Sequence, residues 1–160
     1  MMKKSLLAFS AVSLLSSIYA NDFDTKVYVG ATSGKLDGER YNQFGVGYTA
    51  NTKFDNYILL GFGNSVYYGE VTSNRSATTV DLDLRVGYEL LRDLTAYAIG
   101  TGVYQYYDNS SATGLGYGGS LEYKFTRNFA LEGTYKTVEM DHNSRKYDYD
   151  TTNLAVKFSY

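Results

Sequence analysis

The chain has 160 residues, including 18 Tyr, 8 Phe and 16 Gly but no Pro, Cys or Trp, and a formal charge of −2. That length allows one domain. Without Cys there is no disulfide scaffold, thiolate zinc site or thiol nucleophile. The single His142 excludes a His-rich metal centre, and the charge balance offers no basic surface to nucleic acid.

The first twenty residues read as an address. Lys3 and Lys4 precede the apolar run 5–18, which closes at Ile18-Tyr19-Ala20 before the polar Asn21-Asp22. A charged n-region, an apolar h-region and a small residue at the cut predict a signal peptide over 1–20. The run is shorter than the roughly 20 residues of a spanning helix. The expected mature chain, 21–160, keeps thirteen cations and seventeen anions.

From there the pattern has period two. In 79–90, Val80, Leu82, Leu84, Val86, Tyr88 and Leu90 alternate with Thr79, Asp81, Asp83, Arg85, Gly87 and Glu89. A strand with one apolar face shows this pattern, and a helix cannot. Eight such runs are predicted, over 24–33, 41–50, 56–68, 77–90, 94–107, 113–125, 129–139 and 149–160. Connections 51–55, 91–93 and 126–128 look tight. Connections 33–40, 69–76, 108–112 and 140–148 look longer and polar. Eight strands in hairpin succession predict an all-β, antiparallel, up-and-down barrel, in which closure removes both edges.

Two arrangements share that alternation. A soluble barrel turns its apolar face inward, and a membrane barrel turns it to lipid. Here the polar face is also the small one, with Gly45, Gly47, Gly61, Gly63, Gly87, Gly100, Gly102, Gly116 and Gly118. Small residues suit a narrow lumen. The other face carries Tyr48, Tyr68, Tyr88, Tyr123, Phe125, Phe158 and Tyr160 near run ends, as membrane–water girdles require. The reading is therefore a transmembrane barrel with a filled polar lumen. Asp81, Asp83, Glu89, Glu122 and Glu132 face Lys26, Arg85, Lys124, Lys136 and Lys157 there. Five charges of each sign predict a paired network, because isolated charges in a dry interior are costly. A narrow ion path through the lumen is the alternative.

These features resemble the small eight-stranded outer-membrane barrels of Gram-negative bacteria, the OmpA transmembrane domain and OmpX group, over 21–160. The most specific local match is the end of the chain. Asn153, Phe158 and Tyr160 stand at the positions of that group's C-terminal assembly signal, with Ala155 where Gly is usual and Tyr in place of the commoner Phe. The resemblance implies recognition by periplasmic chaperones and the barrel-assembly machinery, and termini in the periplasm. It also implies four longer loops outside, contact with outer-membrane lipid and lipopolysaccharide, a monomer, and no appended peptidoglycan-binding domain. It implies a structural or surface-interaction role without catalysis or a cofactor.

Two local motifs invite chemistry. His142-Asn143-Ser144 is an H-x-S triplet like that of PagL-type lipid A deacylases, in which His would activate Ser. Only Asp148 and Asp150 follow as the acid, and the triplet falls in the predicted last outer loop. Residues 114–119 are glycine-rich but open no helix, so they are not a dinucleotide loop. The acidic residues Asp141, Asp148 and Asp150 lack calcium-loop spacing. Lys35, Arg40, Arg75, Arg145 and Lys146 on the outer connections are candidates for contact with lipopolysaccharide phosphates.

Overall fold

The computed structural model describes residues 23–36, 39–54, 57–72, 75–107, 110–142 and 145–160. Each alternating run is a strand: β1 Asp24–Leu36, β2 Glu39–Lys53, β3 Ile58–Thr72, β4 Arg75–Leu91, β5 Leu94–Tyr107, β6 Ser110–Lys124, β7 Phe129–His142 and β8 Arg145–Ser159. Neighbours in sequence pair antiparallel, and β8 closes on β1. Among the described residues no helix is long and apolar enough to cross a membrane.

The register fixes the barrel's shape. Directly paired residues lead from Ile58 through Tyr88, Ala96, Leu121, Gly133, Leu154, Ala31 and Phe44, and return to β3 at Tyr68. That is ten residues further along β3, so the strands must tilt, by roughly 35–45° for barrels of this kind. Strands of 13 to 17 residues exceed the 9–11 that a tilted strand needs to cross a bilayer.

The hairpins at the end bearing both termini are tight. Leu91 pairs with Leu94 across Arg92-Asp93. In the β6–β7 turn, Thr126 Oγ1 accepts from the Phe129 amide at 3.0 Å, and Asn128 Nδ2 donates to the Ser159 carbonyl at 2.9 Å. The far end differs from expectation. The four connections read as longer loops are mostly strand: Ser33 pairs with Asn42 and Lys35 with Arg40, and Asp141 pairs with Lys146. His142 is therefore the last residue of β7, registered against Arg145, and is not in a loop. Polar side chains on both faces hide the alternation there. The backbone pairs all the same, because a ladder satisfies its N–H and C=O groups.

The outer face is apolar. Leu84 is 73% exposed, Tyr117 72% and Leu115 78%. A continuous belt of this kind is far beyond the scattered apolar residues of a soluble surface. The inner face is buried and largely polar, with one correction to the assignment of faces. Gly100 pairs with Leu84 and Gly102 with Leu82, so both glycines face outward. Thr95, Tyr97, Ile99, Thr101, Val103 and Gln105 of β5 are the buried set. β5 misleads because Ile99 and Val103 are apolar yet inward. Tyr48 lies on the outer face but is buried, with its ring 6.1 Å from that of Phe62, so it is not a girdle residue.

Candidate functional site

The lumen is the part of the molecule where chemistry concentrates, and its filling changes along the axis. Nearest the termini, Lys26 Nζ donates to Glu122 Oε1 at 2.5 Å. Lys157 Nζ donates to Glu122 Oε2 at 3.0 Å and to Glu132 Oε2 at 2.7 Å. Arg85 holds Glu132 with both terminal nitrogens, donates to Ser120 Oγ at 3.3 Å, and lies 4.1 Å from the Tyr97 ring centre. A two-pronged guanidinium–carboxylate pair is among the strongest charge-assisted contacts. Above this, Lys136 Nζ donates to Asp81 Oδ2 at 2.9 Å and to both Asp83 oxygens at 2.8 Å. Alternation on β4 makes this possible: residues 81, 83 and 85 share the inner face and meet Ser120 of β6 and Glu132 and Lys136 of β7 across the barrel.

The next layer is neutral. Gln43 Nε2 donates to Thr79 Oγ1 and to the Ala77 carbonyl, each at 3.1 Å, and Gln105 Nε2 donates to the Tyr41 hydroxyl at 2.7 Å. The far mouth is closed by an apolar plug of Tyr41, Ala77, Val103, Ala112, Val138, Met140 and Tyr149. The lumen is therefore not polar throughout, as expected from sequence, but ionic at one end and greasy at the other. Between the ionic layers a void of about 20 Å³ is lined by Asp81, Asp83, Arg85, Glu132 and Lys136 among others. That is about the room of one water.

Of the ten charges predicted for the lumen, the structure brings eight together. Lys26, Arg85, Lys136 and Lys157 meet Asp81, Asp83, Glu122 and Glu132. The other two sit at the terminal mouth. Glu89 pairs with the exposed Lys53 at 3.0 Å, and Lys124 lies 3.5 Å from Asp24. Tyrosines inside the barrel escaped the sequence reading. Tyr28 stands opposite Gly47, Tyr67 opposite Gly45 and Tyr97 opposite Gly87. A Cβ on Gly87 would meet Tyr97 Cε1 at 2.5 Å. Glycine and tyrosine thus occupy complementary positions on adjacent strands, and the glycine face is the signal from which they could have been found.

The C-terminal residues are firmly built in. Asn153 Nδ2 donates to the Tyr67 hydroxyl at 2.9 Å and to the Ala31 carbonyl at 3.2 Å. Ala155 is buried inward, and the Phe158 ring lies 5.2 Å from that of Phe129, while Tyr160 is exposed. His142 Nδ1 lies 2.9 Å from the Ser111 carbonyl, a hydrogen bond. Ser144 and Asn143 lie outside the described residues, as does the predicted signal peptide. Among the described residues no group of three or more His, Asp or Glu could hold a metal ion.

Comparison with known proteins matches residues 39–159 to the family described as Putative beta-barrel porin 2. No curated protein matches the chain. Solved structures with the same architecture include Ail, the attachment invasion locus protein of Yersinia pestis, at 15% identity and a TM-score of 0.64, covering 87% of this chain and 99% of Ail. Neisserial surface protein A matches at 12% identity and a TM-score of 0.59, covering 86% and 97%. The N-terminal β-barrel domain of Pseudomonas aeruginosa OprF matches at 17% identity and a TM-score of 0.51, covering 86% and 99%.

Proposed function

The chain belongs to the Putative beta-barrel porin 2 family, and from that premise we propose that it is an outer-membrane barrel whose lumen is sealed, with a structural or surface-contact role. The observation that carries this reading is the filling of the lumen. Among the described residues an ion network backed by an apolar cluster fills the lumen, and eight strands enclose little more than their own side chains. An ion crossing would have to shed water against Val138 and Met140, which are fully buried in the plug.

In this reading residues 1–20 direct export and are removed, and the termini and tight turns face the periplasm. Asn153, Ala155, Phe158 and Tyr160 address the chain to the assembly machinery. The monomer contacts lipid with its apolar belt and lipopolysaccharide phosphates with exposed Lys35, Arg40 and Arg145. Lys146 is committed to Glu139 at 2.7 Å. No catalytic step belongs to this reading.

Planar-bilayer recording of the refolded protein tests it. The expected result is a flat trace after insertion is verified by the mobility shift of the unheated protein on a gel. A reproducible, voltage-independent unitary conductance would overturn the sealed-lumen reading in favour of a narrow pore.

A further inference from the structure

The charges of the lumen balance in one layer and not in the other. In the lower group Lys26, Arg85 and Lys157 face Glu122, Glu132 and, at the mouth, Asp24, three against three. In the upper group, among the described residues, Lys136 is the one cation facing both Asp81 and Asp83. One negative charge is left over in a buried place, where an uncompensated charge is costly. Its location is defined. The three N–H groups of Lys136 are directed at Asp81 Oδ2 and at both oxygens of Asp83. Asp81 is only 8% exposed, and its Oδ1 is buried without a protein partner among the described residues. Asp81 lines the void of about 20 Å³ between the ionic layers.

We infer that this void is a binding site for one dehydrated monovalent cation of potassium size, which supplies the missing positive charge. The inference goes beyond the sealed-lumen reading and requires only the closed barrel. The room is about that of one water, so neither a hydrated ion nor an organic cation fits. A potassium ion sits at nearly the same distance from oxygen as a hydrogen-bonded water does. The wall offers it more oxygen. Thr32 Oγ1 donates to the Thr152 carbonyl and Thr134 Oγ1 to Glu132 Oε1, each at 3.2 Å, and both residues line the void. With their protons engaged, these hydroxyls keep lone pairs for a cation. Arg85 lines the void too, but its Cα is four residues, roughly 13 Å, along β4 from that of Asp81. Its guanidinium is turned to Glu132.

Charge selects the class of ion. A calcium ion takes six to eight oxygens, several of them from carboxylates, and here one carboxylate oxygen is free. A divalent ion would also replace a surplus of one negative charge by a surplus of one positive. A water would satisfy Oδ1 and leave the charge in place. Buried side chains close the lumen on both sides of the site, Lys26 and Glu122 below and Tyr41 and Tyr149 above, so the ion is captured as the barrel closes.

The test is equilibrium unfolding in urea of the full-length mature protein in detergent micelles, refolded with potassium chloride varied and tetramethylammonium chloride holding the ionic strength constant. Tetramethylammonium is too large for the void and serves as the blank. The unfolding equilibrium constant of the wild type should fall about tenfold for each tenfold rise in potassium above its dissociation constant, the slope of one ion per chain. Asp81→Asn, which removes the surplus charge and keeps the shape, should be indifferent to the choice of salt. Glu89→Gln, at the terminal mouth, should respond as the wild type does. Crystals of the wild type refolded in thallium(I) acetate, the usual stand-in for potassium, should show an anomalous peak beside Asp81 Oδ1. That peak decides the matter should Asp81→Asn not fold. Equal wild-type stability in the two salts, a potassium dependence that survives in Asp81→Asn, or water density without anomalous signal at Oδ1 would overturn the inference. So would stability that follows pH and not potassium, which would place a proton on Asp81 in the ion's stead.

Discussion

Lys136 is the single side chain on which the upper ionic layer turns. Among the described residues it is the cation paired with Asp81 and with Asp83. Its replacement by Met leaves two buried carboxylates two residues apart on one face of β4, with no counter-charge in contact. At an effective dielectric of about 20, a unit-charge pair at 4 Å is worth about 4 kcal/mol, and Lys136 makes two such pairs. Breaking a buried pair by removing one partner costs about 3–5 kcal/mol after relaxation. Lys136→Met is expected at the upper end of that range, because two acids are stranded and Asp81 Oδ1 already has no protein partner among the described residues. Urea titration in detergent micelles reads the effect. The chain has no Trp, so far-UV circular dichroism and unheated-gel mobility are the probes. The midpoint should fall with the slope unchanged, the mark of a stability change without a change in compactness. The triple variant Lys136→Met, Asp81→Asn, Asp83→Asn should recover most of the loss, since it removes the stranded charges together. A single variant within about 1 kcal/mol of wild type, well under the cost above, would refute the argument, as would a triple variant no better than the single.

Other expectations follow from the same geometry. Glu89→Gln breaks the half-exposed pair with Lys53 and should change stability by less than about 1 kcal/mol, measured by the same titration; a larger loss would place Glu89 inside the network. Gly87→Val forces a side chain into the Tyr97 ring and should cost about 1–3 kcal/mol by overpacking. Adding Tyr97→Ala should then make the pair better than additive in a double-mutant cycle. Ser144→Ala should leave the lipid A mass spectrum of expressing cells identical to that of the wild type, and loss of an acyl chain in the wild type alone would establish a hydrolase.

The legibility of this fold follows from where it meets hydrocarbon. Between Thr79 and Leu90 the outer side chains must be apolar and the inner ones need not be, so faces, strand and orientation can all be read from β4. β6 and β8 read similarly. At the far ends of the strands the outer face leaves the hydrocarbon, and the constraint on residue type lapses. The pairs Lys35 with Arg40 and Asp141 with Lys146 therefore look like loop, although their backbones are in the ladder. β5 is illegible for another reason. Its inner face supplies Ile99 and Val103, and its outer face supplies Gly100 and Gly102, so hydropathy points the wrong way. The ion partners were visible only as a balance of signs. That Lys157 bridges Glu122 and Glu132, or that Lys136 spans two aspartates, depends on which strands lie across the lumen, and closure sets this, not local sequence. The tyrosines facing Gly45, Gly47 and Gly87 were hidden because Tyr fits both an interface girdle and a crowded interior.

The network also bears on why the lumen is charged at all, since apolar isosteres often fill a buried site as stably as ion pairs do. On the proposed export route the chain must pass the inner membrane before it can pair its strands. Residues 94–104 carry no charge, and β4 beside them carries Asp81, Asp83, Arg85 and Glu89. With leucines at those four positions, Arg92 and Asp93 would be the only charges left in residues 80–104, a stretch longer than the about 20 residues of a spanning helix. Each charge in the middle of such a helix opposes insertion by about 2.5–3.5 kcal/mol. On that route the four β4 charges would add to Arg92 and Asp93 in opposing arrest of the β4–β5 hairpin in the inner membrane, and pairing of Asp81, Asp83 and Arg85 within the closed barrel offsets their cost at the destination. Replacement of Asp81, Asp83, Arg85 and Glu89 together by Leu should then shift the expressed protein from the outer-membrane fraction to the inner. Delivery of that variant to the outer membrane at wild-type yield would show that the charges serve the folded lumen alone.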